Sequence, residues 1–108
     1  MGLDSFAMVG TEPMDGKLFE HLPPVLCGGM FSDGESSIRG KVYDKFVTKH
    51  TGVSLYQEKI DNETIGEMIQ KFTDKPVDDM GMSATEVYTL VEWFRTIHRH
   101  GGYIINWW

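Results

Sequence analysis

The segment from Ser83 to Gly102 constrains the fold most, because the start, the apolar face and the end of one helix are all evident in it. Ser83 and Glu86 form a capping box, in which both side chains accept hydrogen bonds from free backbone amides of a first helical turn. The apolar residues that follow share one face; they are Val87, Leu90, Val91, Phe94 and Ile97. Two glycines after His100 indicate the end. We therefore predict a helix over about 84–99 that buries this face against a core.

Two further helices are predicted upstream. The first spans about 38–50, and the residues expected to face its core recur at four-residue spacing; they are Ile38, Val42 and Phe46. Ser36 or Ser37 would cap its start, and Gly52 would follow its end. The second begins after Asp61 or Asn62, and a proline soon after its last turn ends it. Its apolar face consists of Ile65, Met68, Ile69 and Phe72.

Three short segments have the composition of strands, namely 5–9, 53–57 and 103–108. They are interspersed with the helices without a regular alternation of strand and helix, which favours an α+β fold over a parallel α/β sheet. A chain of 108 residues is one domain by the usual expectation. We predict a single α+β domain over residues 1–108, with about three helices packed on a short mixed or antiparallel sheet.

The amino-acid composition favours a soluble globular protein over a membrane or secreted one. Hydrophobic residues make up 41% of the chain and charged residues 24%, which is typical of a soluble globular protein. No apolar run is long enough to span a bilayer, and the start lacks the basic and apolar regions of a signal peptide. Cys27 is the only cysteine and cannot form an internal disulfide. We predict a cytoplasmic protein with no membrane partner.

A glycine- and serine-rich loop, LCGGMFSDGESSIRGK at 26–41, is the strongest candidate for a ligand site. Glycines and helix-start amides can surround an anion, and hydroxyls and basic side chains can complete the site. The candidate ligands are Gly28, Gly29, Ser36, Ser37, Arg39 and Lys41. Cys27 or a histidine would supply any reactive group. The spacing matches neither of the common nucleotide-binding motifs, so a turn and a helix cap remain the alternative.

Acidic residues within the same loop allow a weak calcium hypothesis. The sequence Asp33-Gly34-Glu35 offers oxygen ligands but lacks the alternating acids of a calcium-binding loop. His98 and His100 lie two apart at a helix end and point to different faces, so they make a poor metal-binding pair. We therefore predict no metal site and no cofactor.

The distribution of basic residues and the net charge give opposite indications about nucleic-acid binding. Lys41, Lys45 and Lys49 form a basic row at four-residue spacing on the first predicted helix, while the formal net charge of the protein is −6. A basic row can contact phosphates, but it is also typical of the solvated face of an amphipathic helix. The negative total predicts that nucleic acid is not bound. A weaker alternative is an acidic inhibitor that mimics nucleic acid, which requires the carboxylates of residues 58–86 to line one face.

The sequence ends in Trp107 and Trp108, which would point to opposite faces of a strand. One can enter the core, and the other then needs a partner unless helices cover both faces of the sheet. No GxSxG, HExxH or CxxC motif is present. The first hypothesis is therefore a non-enzymatic accessory or interaction protein, a homodimer or the subunit of another complex, with these tryptophans in its interface. The alternative is a small-molecule or phosphate-binding protein, with or without catalysis, that uses loop 28–41.

Three stretches of the chain carry a family resemblance. MGLDSFAM, LCGGMFS and SSIRGKVYDKFVTKHTGVSLY are similar to small proteins of unassigned function in marine phage and cyanobacterial sequences. The similarity covers much of residues 1–57. It implies a microbial or phage cytosol as the setting, and it implies no substrate, reaction or partner.

Overall fold

The computed structural model describes residues 2–28 and 36–108, and within them the chain forms an α+β fold with three α-helices packed on a five-stranded antiparallel sheet. In chain order the elements are β1 (Asp4–Val9), β2 (Glu12–Pro13), a short 3₁₀ helix (Gly16–Phe19), β3 (Ser37–Ile38), α1 (Gly40–Thr51), β4 (Lys59–Ile60), α2 (Asn62–Asp74), α3 (Ala84–Arg99) and β5 (Tyr103–Trp107). The predicted fold class is confirmed, and the sheet is antiparallel throughout.

The centre of the sheet is the pair formed by β1 and β5. Their register places Ser5 opposite Asn106 and Ala7 opposite Ile104. Strand β4 lies outside β5, while β2 and β3 pair with different ends of the other edge of β1. The most extensive ladder of the sheet therefore joins two segments that are about as far apart in the chain as any two elements.

The core lies between the helices and the inner face of this sheet. Ala7, Ile60 and Ile104 supply that face, because successive strand residues alternate between the two sides. Trp93 of α3 is fully buried, with its ring centroid 5.3 Å from that of Phe94. The ring of Phe72 stacks on Phe94 at 6.0 Å, which connects α2 to α3. The core residues of the described chain form one cluster, as a single domain requires.

Helix α1 differs from its predicted boundaries at the start. It begins at Gly40, and its N-cap is Arg39, which makes no side-chain capping bond. Ser36 and Ser37 were expected to cap it, and this expectation is wrong because Ser37 and Ile38 pair with β1 as strand β3. The predicted end is confirmed, since Gly52 adopts a left-handed conformation with φ of 74°.

The core face of α1 also differs from the predicted stripe. Tyr43, Phe46 and Val47 are buried, whereas Val42 is 52% exposed. The prediction took Ile38 as the first residue of the helical stripe. Because Ile38 belongs to a strand, it does not set the phase of the helix, and the true stripe follows the spacing of three and four residues from Tyr43.

The predicted strand over 53–57 does not form. Asp44 of α1 binds this segment instead: its Oδ1 accepts hydrogen bonds from the Leu55 amide at 2.7 Å and from the Ser54 hydroxyl at 3.1 Å. Leu55 is fully buried, which accounts for the alternating pattern without a ladder. The strand that pairs with β5 is β4, a few residues later.

The starts of α2 and α3 carry the predicted caps. Asp61 Oδ1 accepts a hydrogen bond from the Thr64 amide at 2.8 Å, and this bond lowers the pKa of Asp61. Ser83 Oγ accepts one from the Glu86 amide at 3.1 Å. The second half of the predicted capping box is replaced, because the Glu86 carboxylate accepts a hydrogen bond from the Tyr43 hydroxyl at 2.9 Å.

Candidate interaction surface

The side of the sheet opposite the helices carries a continuous set of apolar side chains. They alternate along β1 and β5 with the buried inner-face residues, and we call them the outer face: Phe6, Met8, Tyr103, Ile105 and Trp107. The register places Phe6 opposite Ile105 and Met8 opposite Tyr103, so that these side chains adjoin across the two central strands. The outer face is therefore one patch and not a scatter of single residues.

The side chains of this patch are less completely buried than those of the inner face. Helix α1 approaches the sheet from the inner side, where a Cβ added at Gly40 would lie 2.5 Å from Ser5 Oγ. On the outer side, Phe6, Met8, Tyr103 and Ile105 are partly exposed. Trp107 is 65% exposed. Large exposed apolar patches on a folded domain are typical of surfaces that bind another molecule.

Both terminal tryptophans lie at the surface. Neither of them enters the core, although the sequence allowed this for one, because the last inner-face position of β5 is occupied by Asn106 and the core indole is that of Trp93. Trp107 belongs to the outer face. Trp108 follows the strand and packs edge-on against Tyr56, with ring centroids 5.7 Å apart.

Polar contacts frame the outer face on two sides. The Lys59 ammonium lies 4.6 Å from the centroid of the Tyr103 ring, and the Tyr103 hydroxyl donates to the Gly10 carbonyl at 2.6 Å. At the other end, Asp4 is buried and pairs with Arg39, whose Nε lies 3.3 Å from Asp4 Oδ1. These polar contacts lie at the two ends of the outer face, and the side chains between them are apolar.

The predicted anion loop is only partly within the described residues. Gly29 and the Asp33-Gly34-Glu35 sequence lie outside them, and Gly28 and Cys27 are exposed. The Cys27 amide donates to the Tyr43 hydroxyl at 2.9 Å, and the Cys27 carbonyl accepts from the Arg39 amide at 2.8 Å. The structure thus brings Cys27 and Arg39 together through the backbone.

The remaining candidate anion ligands are engaged within the fold or separated from one another. Ser36 and Ser37 are buried, and the Ser36 carbonyl accepts from the Ala7 amide at 2.8 Å. The Arg39 guanidinium pairs with Asp4, as described above. The Lys41 side chain is exposed, but its amide donates to the Leu3 carbonyl at 3.1 Å. An anion at the start of α1 would have to displace these contacts.

The candidate reactive groups have other partners. His21 Nε2 lies 3.4 Å from the Thr96 hydroxyl, and His50 Nε2 lies 2.9 Å from the Asp78 carbonyl. Within residues 2–28 and 36–108, no three histidine, cysteine or acidic side chains come together in a group that could hold a metal ion. The contacts of the described chain contain no Cys27–histidine pair.

Three of the carboxylates of residues 58–86 have different surroundings. Asp78 forms an ion pair with Lys49 at 2.5 Å, and this hydrogen bond is the main cause of the lowered pKa of Asp78. Glu86 is turned towards Tyr43. Glu58 lies beside Trp107 and Trp108. Nothing in this arrangement favours a continuous acidic face.

Two aspects of the surface were not evident from the sequence. Phe6 and Met8 were assigned to a strand, but their neighbours across the sheet depend on the pairing of β1 with β5, which no local pattern reveals. Tyr56 was assigned to a strand that does not form. The alternation of residues 103–107 was the one signal that could have identified the face.

No protein family, curated protein or solved structure matched the chain when it was compared with each of these three sets. Over the described residues, no helix is long and apolar enough to cross a membrane.

Proposed function

We propose that this chain is a non-enzymatic accessory protein that acts by binding proteins, and that its first partner is a second copy of itself. The observation that supports this proposal is the outer face, an apolar patch on one side of a sheet whose helices all pack on the other side. Aromatic residues and methionine are enriched in protein interfaces, and both occur in this patch. A homodimer would join two outer faces around a twofold axis, the commonest symmetry of small assemblies.

The proposed setting is the cytosol of a microbe or of a phage-infected cell. It rests on the single cysteine and on the resemblance of the first half of the chain to marine phage and cyanobacterial proteins. The alternative of a phosphate-binding loop at 28–41 has less support, because Arg39 and the start of α1 already have partners. The nucleic-acid mimic also has less support, since Asp78 pairs with Lys49 and Glu86 accepts a hydrogen bond from Tyr43.

The decisive measurement is the mass in solution of two matched variants, determined by sedimentation equilibrium. Trp107 and Tyr88 are both exposed aromatic residues, at 65% and 58%, and Tyr88 lies on α3 away from the sheet. Trp107→Ser should weaken the dimer by about 2 kcal/mol or more, the usual effect of removing an interface anchor. Tyr88→Ser should leave the mass unchanged.

The proposal fails if the wild-type protein is monomeric at concentrations of about 100 μM, which corresponds to a free energy of association weaker than roughly −5.5 kcal/mol. It also fails if Trp107→Ser and Tyr88→Ser reduce the mass equally. The second result would indicate that the loss of mass is not specific to the outer face.

A further inference from the structure

A groove of about 400 Å³ opens at the corner of the outer face, next to β4. Its lining residues are Glu58, Ile105, Asn106, Trp107 and Trp108. We call it the corner groove. The backbone around it is well fixed, since the Asn106 amide donates to the Glu58 carbonyl at 2.9 Å and the Asn106 side-chain amide donates to the Gln57 carbonyl at 2.9 Å.

Aromatic rings and one carboxylate define the chemistry of the groove. Trp107 and Trp108 line the groove, and the ring of Tyr56, which is not a lining residue, packs against Trp108 at an interplanar angle of 73°. All three side chains are exposed, and so is Glu58. Ring faces carry negative electrostatic potential, so that rings and a carboxylate together attract a cation.

We propose that the corner groove binds the guanidinium group of an arginine carried by an extended segment of a partner protein. A guanidinium is planar and weakly hydrated, and it can stack on an indole while it donates two hydrogen bonds to a carboxylate. The outer face already contains one contact of this kind, between the Lys59 ammonium and the Tyr103 ring. The net charge of −6 favours a basic partner at longer range.

This inference rests on the proposed function in treating the outer face as an interaction surface, and it adds the chemistry that one corner recognises. Trp107 belongs to both surfaces, because it lies on the outer face and also lines the corner groove. The two proposals differ in their other residues: self-association also uses the middle of the outer face, represented by Met8, whereas arginine recognition uses Glu58 and Trp108.

The test is a titration of the isotope-labelled protein with two short peptides, followed by the indole signals in nuclear magnetic resonance spectra. One peptide is acetyl-Gly-Arg-Gly-amide, and the other replaces arginine by citrulline, which has nearly the same shape but no charge. The indole signals of Trp107 and Trp108 should move with the arginine peptide and not with the citrulline peptide. The signal of the buried Trp93 serves as the internal reference.

Three variants sharpen the test. Glu58→Gln should weaken arginine-peptide binding by about two- to fivefold, the effect of losing an exposed ion pair. Trp108→Leu should weaken it by about threefold or more. Glu67→Gln removes an exposed carboxylate from α2 and should change nothing.

Equal responses to the arginine and citrulline peptides overturn the proposal, as does unchanged affinity in Glu58→Gln. A response to tetramethylammonium together with none to the arginine peptide also overturns it, because the groove would then recognise a quaternary ammonium. The titration is repeated with Met8→Lys, which is designed to prevent self-association. Selective arginine binding by either the wild type or this variant supports the groove, whatever the sedimentation result for the dimer.

Discussion

The two faces of the central sheet are made by the same strands, yet they meet different surroundings. Along β5, Ile104 and Asn106 point into the helices and are buried, while Tyr103, Ile105 and Trp107 point outward and remain partly or largely exposed. A shift of one residue in register would exchange the two sets. The inner face supplies part of the buried core of the domain, whereas the outer face is the surface that we propose for binding.

The largest expected contrast is in the free energy of unfolding lost when each of two adjacent isoleucines, one on each face, is truncated to alanine. Ile104→Ala should lower the free energy of unfolding by about 2–5 kcal/mol, because it leaves a cavity in a close-packed core. Ile105→Ala removes the same atoms from a partly exposed position and should cost less than about 1 kcal/mol. Urea denaturation of both variants in dilute solution measures the two values. Similar losses would mean that the outer face is buried in the native state, as in an obligate dimer.

A smaller loss of stability is expected when the buried hydrogen bond between Ser5 and Asn106 on the inner face is removed. Ser5 Oγ donates to Asn106 Oδ1 at 2.5 Å, and Asn106 also binds the Gln57 carbonyl. Asn106→Leu leaves the serine hydroxyl and that carbonyl without this partner, and should cost about 1–3 kcal/mol. The matched outer-face variant, Trp107→Leu, should cost much less.

A double-mutant cycle isolates this pair. Ser5→Ala combined with Asn106→Leu should cost less than the sum of the two single changes, because removing both partners leaves fewer unpaired groups than removing one. Simple additivity would show that the short hydrogen bond does not couple the two strands.

Alkaline pH should lower the free energy of unfolding through Tyr43, the tyrosine on the helical side of the sheet. Burial, reinforced by the hydrogen bond to Glu86, raises the pKa of Tyr43 well above its ordinary value of 10.0. Above about pH 10 the unfolded chain loses a proton that the folded chain keeps, so stability falls as the pH rises further. Thermal melts at pH 9 and pH 11 should show this loss in the wild type and a smaller loss in Tyr43→Phe.

The smallest expected change is the stability of the Trp107→Ser monomer. Because Trp107 is mostly exposed, its loss should alter the free energy of unfolding by no more than about 0.5 kcal/mol at protein concentrations too low for association. Denaturation below 1 μM, compared with the sedimentation results, separates folding from binding. A loss of several kcal/mol would contradict the division between the two faces.

The parts of the fold that were predictable are those encoded by neighbouring residues. The caps at Asp61 and Ser83 and the apolar stripes of α2 and α3 depend on spacings of three and four residues, and the structure confirms them. β3 and β4 have two residues each and are strands only because distant segments pair with them. The prediction therefore extended α1 into β3 and placed a strand before β4.

The candidate surface was likewise predictable only where it depends on neighbouring residues. The adjacent pair of tryptophans predicted that one of them could lie outside the core, whereas the grouping of Trp107 with Phe6 and Met8 required the register of β1 on β5. The hydrogen bond from Tyr43 to Glu86 was also beyond local reasoning, since it joins α1 to the first turn of α3. Long-range pairing decided where the surface lies.

The central pairing of β1 with β5 has a consequence for synthesis on the ribosome. Ser5 and Asn106, which bond to each other, are separated by 101 positions in the chain. At translation rates of roughly 5–20 residues per second, β1 must wait roughly 5–20 seconds for its main partner. During that time β1 can form only its ladders with β2 and β3, and its other edge is open to strands of neighbouring nascent chains. Within this domain, β1 is therefore the strand whose main pairing is delayed the longest during synthesis.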